Sequence, residues 1–332
     1  MAPMEGIRHR TVPANGITMH VAEAGPADGR AVVLCHGFPE CWYSWRHQLV
    51  SLGEAGYHVI APDQRGYGLT DMPAEVDSYT QLHLVGDVVG LLDALGIERA
   101  AIVGHDWGAP VAWHCALLRP DRFDAVAALS VHWGGIAARA TPSVKPTDAM
   151  RAALGDAFLY ILYFQEPGVA ERELDADLRR SLRQFLYALS GDIPRNEYRF
   201  FDPTARDIWD VLAEPPAALD WLSADDLDAF VESFANHGTF FGGLNWYRNI
   251  DRTSDLLAPF AGRAIDQPAL FIGAEHDSIF GQSPESVLAT RAHVPGLRDP
   301  IWVENSGHWI QQEEPGVVNE ALLGFLSEVD LG

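Results

Sequence analysis

Short, nearly continuous apolar runs alternate along the chain with longer segments whose apolar residues recur at helical spacing. Residues 31–35 (AVVLC), 58–61 (HVIA), 101–103 (AIV), 125–131 (AVAALSV) and 269–272 (ALFI) read as strands. A strand apolar at successive positions, rather than at every second one, is buried on both faces, as in a parallel sheet covered by helices. Segments 82–95 and 107–118 supply helical patterns between them. The alternation predicts an α/β protein with a mostly parallel, doubly wound sheet and right-handed crossovers. From about Gly134 to about Arg252 the strand pattern stops. There 149–164 reads as one amphipathic helix ending at Glu166-Pro167-Gly168, and 174–189 as another with an arginine-rich face. Strand character resumes at Pro268. An all-helical insertion between two halves of one sheet predicts a cap over the sheet's C-terminal edge, where open α/β sheets bind ligands. The expected boundaries are 1–135 and 256–332 for the core and 136–255 for the cap.

Composition narrows the classes of function. Of 332 residues, 23 are Lys or Arg and 46 are Asp or Glu, a net charge of −23. Such a surface repels phosphate backbones and anionic lipid, so nucleic-acid and membrane-surface partners are not expected. No uncharged apolar stretch approaches the ~18–20 residues of a membrane span. The first residues also lack the apolar core of a secretory signal. Cys35, Cys41 and Cys115 fit neither a disulfide framework nor a zinc spacing, which suits reduced thiols in a cytoplasmic protein. The histidines show no H-E-x-x-H spacing, so no metal and no cofactor are expected. Homodimers are the commonest assembly, but the sequence leaves the oligomeric state open.

The densest chemical signal is Gly104-His105-Asp106-Trp107-Gly108-Ala109, where a buried strand runs into a glycine-flanked turn and then a helix. This is the context of a nucleophile elbow, with aspartate in place of the usual serine. Asp277 follows at the end of the run FIGAEHD and His308 in Ser306-Gly307-His308-Trp309, giving the order nucleophile, acid, histidine. His36-Gly37-Phe38-Pro39-Glu40 directly follows the first buried strand. That loop and the residue after the nucleophile supply oxyanion-hole N–H groups, here Phe38 and Trp107.

With HGFPE (36–40), DQRGYG (63–68), GHDWGA (104–109), YFQEPG (163–168), NWYRN (245–249), Asp277 and GHW (307–309), the whole chain resembles the α/β-hydrolase superfamily and, within it, the soluble epoxide hydrolases. The resemblance implies conversion of a small-molecule epoxide and water to a vicinal diol through an ester on Asp106. His308 and Asp277 would then complete the triad. It also implies two cap tyrosines that bind the epoxide oxygen: Tyr247 in NWYRN, and Tyr160 three residues before the tyrosine of YFQEPG. Tyr163, one turn later, stays open as the alternative to Tyr160. Glu40 is implied to position the hydrolytic water. His36, Tyr163, Phe164, Trp246 and Trp309 are expected around substrate or water. Cap aromatics predict an apolar pocket that leaves aryl, terpenoid and fatty-acid epoxides open. His132-Trp133 departs from the pair expected where the chain leaves the sheet, and its role is undecided between pocket wall and hinge packing.

The nearest alternative is a haloalkane dehalogenase, which shares the aspartate elbow. That group typically carries asparagine where Phe38 stands and needs no cap tyrosines. Fluoroacetate-type dehalogenases carry arginine where Trp107 stands. A serine esterase is disfavoured by Asp106 itself, and a non-catalytic receptor by the presence of all three triad members.

Overall fold

The computed structural model describes residues 4–134, 144–155, 157–194, 204–215, 219–277 and 283–329. They contain an eight-stranded sheet of order β1-β2-β4-β3-β5-β6-β7-β8. The strands are β1 Ile7–Ala14, β2 Ile17–Ala24, β3 Ala31–Cys35, β4 His58–Pro62, β5 Ala100–His105, β6 Phe123–Leu129, β7 Ala269–Ala274 and β8 Ile301–Val303. β2 is antiparallel to both β1 and β4, and all other neighbours are parallel. Successive strand residues point to opposite faces. Val33, Ile60, Ile102 and Val126 therefore join one apolar cluster, with the helices Gln81–Leu95 and Gly108–Leu118. Val32, Val59, Val103 and Ala127 join the other, with Arg46–Glu54 and Pro315–Glu328. Both faces being covered explains why these strands lack polar alternation.

All five strands expected from the apolar runs are present, together with three that those runs do not reveal. β1 is an edge strand exposed along much of its length, and β8 is three residues long and half-buried. β1 and β2 did carry a signal of another kind. They meet at Asn15-Gly16, both with positive φ, the dipeptide that closes a two-residue hairpin.

Between β6 and β7 the described residues form helices, apart from one isolated bridge between Leu219 and Leu222. The single helix expected over 149–164 is corrected. Pro146–Leu154 ends at Gly155, whose φ of +58° takes the backbone out of the helical region. A separate short helix, Tyr160–Tyr163, starts after the extended Leu159. The second expected helix is shortened to Leu178–Ala188, capped by the Asp177 side chain accepting from Arg180 N. The junction expected at 135/136 lies outside the described residues, and 255/256 falls within the helix Ile250–Leu257. Phe38, just beyond β3, packs its ring against Phe164, Phe185, Phe240 and Tyr247 of this helical segment. Each aromatic pair of this kind contributes about 0.5–1.5 kcal/mol beyond area burial, so the segment is held onto the C-terminal ends of the strands. No helix among the described residues is long and apolar enough to cross a membrane.

Candidate active site

The turn after β5 is built by steric necessity. A Cβ on Gly104 would stand 2.0 Å from Gly108 O, and one on Gly37 would stand 2.3 Å from Asp106 Oδ1. Glycine at both places lets the turn close and lets the Asp106 side chain lie against the loop after β3. Asp106 itself has φ +49°, a left-handed conformation that costs a non-glycine residue energy and recurs at functional turns.

Phe38 N donates to Asp106 Oδ1 at 2.7 Å. Oδ2 of the same carboxylate lies 3.4 Å from His308 Nε2, and His308 Nδ1 lies 3.1 Å from Asp277 Oδ2. Burial pushes the Asp106 carboxyl up, but the hydrogen bond and charge of His308, with smaller help from His105 and Phe38 N–H, hold it below its ordinary value. Burial pulls His308 down, yet the charge of Asp277 and the contacts with Asp106 outweigh it and push it up to about 10. The carboxylate and the imidazolium therefore form an ion pair at neutral pH.

The His308 loop is fixed from three directions. Its carbonyl oxygen accepts from Ser130 Oγ at 3.0 Å and lies 2.7 Å from His105 Nε2. His308 N donates to Leu189 O at 2.8 Å, and the Trp309 indole donates to Leu186 O at 2.7 Å. Glu313 accepts from the N–H groups of Gly191, Gly307 and Trp309. The histidine is thus tied to the helical segment as well as to the sheet.

A cavity of about 310 Å³ opens beside Asp106. Its lining includes Trp107, Tyr160, Trp246 and Tyr247 from the expected set. The rings of Tyr160 and Tyr247 stand 5.8 Å apart. Burial, then the charge of Asp106, raises the Tyr247 hydroxyl well above its ordinary value, so it stays protonated. Tyr163 is outside the lining, with its hydroxyl beside Glu173. Of the two candidates, Tyr160 is the one that lines the cavity with Tyr247.

Other expected contacts fall behind the cavity rather than in it. Glu40 Oε2 binds Gly37 N and His105 Nδ1, while Oε1 accepts from Gln311 and Gln312. It is buried, and it is not among the residues that line the cavity. His36 accepts from Gln64 N, Phe164 packs on Phe38 and Tyr247, and Trp309 is closed off by Leu186. His132 lines the cavity, whereas Trp133 packs on Trp113 and His114. Sequence reasoning missed Tyr79, Gln81, Pro110, His114 and Thr253 in the wall. For two of them a signal existed: Pro110 and His114 follow Trp107 at i+3 and i+7, on one face of the same helix.

The family described as alpha/beta hydrolase fold matches residues 30–315. Epoxide hydrolase A of Mycobacterium tuberculosis is 44% identical over 324 residues, 97% of this chain and 98% of its own. Epoxide hydrolase 1 of Siraitia grosvenorii is 42% identical over 330 residues, 98% of this chain and 100% of its own. The crystal structure of epoxide hydrolase A from Mycobacterium thermoresistibile superposes with a TM-score of 0.90 at 45% identity, covering 98% and 100% of the two chains.

Proposed function

The chain belongs to the α/β-hydrolase fold family and within it to the epoxide hydrolases, and from that premise we propose that it opens its substrate through a covalent ester on Asp106. One arrangement carries the reading: the ionised carboxylate of Asp106 borders the same cavity as Tyr160 and Tyr247, with His308 and Asp277 behind it. Asp106 Oδ1 is held by Phe38 N–H, which leaves Oδ2 to attack a ring carbon. The ring C–O bond breaks as the new C–O bond forms, and its electron pair stays on the ring oxygen. That oxygen is a poor leaving group, so hydrogen bonds and a proton from Tyr160 and Tyr247 are needed there. A carboxylate needs no base for this first step.

Water then attacks the carboxyl carbon of the ester, and His308, oriented by Asp277, takes its proton. The N–H groups of Phe38 and Trp107 hold the resulting oxyanion, each such donor being worth roughly 3–4 kcal/mol in a related case. Collapse releases a vicinal diol that keeps one original oxygen of Asp106, and the water oxygen stays on the protein.

Phenylalanine at each tyrosine tests the assignment of the acids. With styrene oxide as substrate, Trp107 and Trp246 in the cavity wall report the first step as a fluorescence transient. Tyr160→Phe and Tyr247→Phe are each expected to slow that transient by about 10²-fold or more, in line with general-acid contributions. Tyr163→Phe is expected to stay near wild type. Equal losses at 160 and 163 would move the acid from Tyr160, and halide release from a chloroalkane in place of diol formation would move the enzyme to the dehalogenases.

A further inference from the structure

The cavity wall is mostly apolar, yet two of its buried polar side chains, unused by the proposed mechanism, carry atoms without a hydrogen-bond partner. Gln81 opens the helix Gln81–Leu95, and His114 lies on the neighbouring helix Gly108–Leu118. The two are 3% and 4% exposed, and both border the cavity. Neither the amide nitrogen nor the amide oxygen of Gln81 has a hydrogen-bond partner, and neither does His114 Nε2. The His114 Nδ1–H donates to Pro110 O at 2.7 Å, which fixes the tautomer and leaves Nε2 as a bare acceptor. Burial pushes His114 down to about 4, so the ring is neutral at pH 7.

A buried polar atom left unpaired costs about 1–3 kcal/mol, and three such atoms on two residues that border one cavity gain a partner when the ligand brings one. Nε2 needs a donor, and the Gln81 amide takes either role. No arginine or lysine stands in the described wall, and the one carboxylate there is Asp106, so an anionic group has no counter-charge. His114 lies six residues beyond Gly108 on its helix, so it is roughly 9 Å farther from the nucleophile at 1.5 Å per residue.

Resting on the reading of Asp106 as nucleophile, we propose that Gln81 and His114 form a subsite for a hydroxyl carried several carbons from the ring. The substrates preferred are then epoxy alcohols, ahead of hydrocarbon epoxides and epoxy acids. A site built to bond an O–H rejects analogues that lack it, because its own polar groups stay unpaired.

The test compares 7,8-epoxyoctan-1-ol with its methyl ether and with 1,2-epoxyoctane, measured as kcat/KM on the full chain. The alcohol is expected to exceed the ether by roughly tenfold, the value of one neutral hydrogen bond at a buried acceptor. In His114→Phe and in Gln81→Leu the ratio is expected to fall towards one, and His114→Gln, which restores an acceptor, to recover part of it. Each ratio is taken within one variant, so it does not depend on how much of that variant is folded. A wild-type ratio near one, or ratios unchanged in both variants, overturns the subsite while leaving the ester mechanism standing. Failure of the wild type to form any diol from all three compounds overturns the reading of the site, and the subsite with it.

Discussion

Replacing His308 with alanine is expected to give a protein that opens one equivalent of epoxide per site and then stops. In the proposed mechanism the first step draws on the Asp106 carboxylate and the tyrosine hydroxyls and involves no base. In the proposed second step, His308 is the group that takes the proton from water. Loss of a general base costs about 10²–10⁴-fold, so ester hydrolysis is expected to slow by at least that range. Rapid-quench measurement of diol and intact-mass measurement of the protein are the checks: a stoichiometric adduct with little diol. Steady turnover without an adduct would contradict the assignment.

The same residue sets a pH dependence. In the free enzyme His308 is pushed up to about 10, by Asp277 and Asp106 against the effect of burial, so it is protonated through the neutral range. Esterification removes the charge of Asp106, one of the two anions that hold this proton, and the histidine's affinity for it falls. In single turnovers of the wild type, ester formation is therefore expected to be flat across neutral pH. Ester decay is expected to rise with pH as His308 deprotonates. Without His308, burial is no longer countered by its cation, so Asp106 is expected to ionise at higher pH and the burst in His308→Ala to slow on the acid side.

Asp106→Ala should give neither burst nor turnover. This substitution removes the atom proposed to form the first new bond, and leaves the proposed acids and oxyanion donors without a nucleophile. Nucleophile deletions in a comparable triad cost on the order of 10⁶-fold in kcat, and a loss of at least about 10⁵-fold is expected here. Circular dichroism guards against trivial unfolding. A burst of normal size in this variant would remove Asp106 from the role.

How far these residues can be read from the sequence depends on how locally each is determined. Asp106, Asp277 and the Phe38 loop follow apolar strands whose ends are visible as the point where the apolar run stops. Asp106 is also marked by glycines that the close approach of backbone makes unavoidable. Tyr247 and Tyr160 are legible only through motif resemblance, because nothing local distinguishes them from core aromatics. Gly155 and the extended Leu159 divide a seemingly continuous helical pattern, and in the short helix that follows Tyr160 lines the cavity while Tyr163 does not. Glu40 shows the opposite limit. A loop glutamate looks solvated in sequence, yet partners from two elements distant in the chain, His105 at the end of β5 and Gln311 and Gln312 of the helix Ile310–Glu313, hold it buried beside the nearby Gly37 N–H. Gln81 belongs to the same class: the first residue of an amphipathic helix reads as surface until tertiary packing closes a cavity over it.

Isotope transfer in a single turnover tests the covalent step most directly. With the enzyme in excess over epoxide in H₂¹⁸O, the diol is expected to be free of label and the peptide that contains Asp106 to carry one ¹⁸O. Labelled diol with an unlabelled Asp106 peptide would mean that water attacks the ring itself, and the ester mechanism would be wrong.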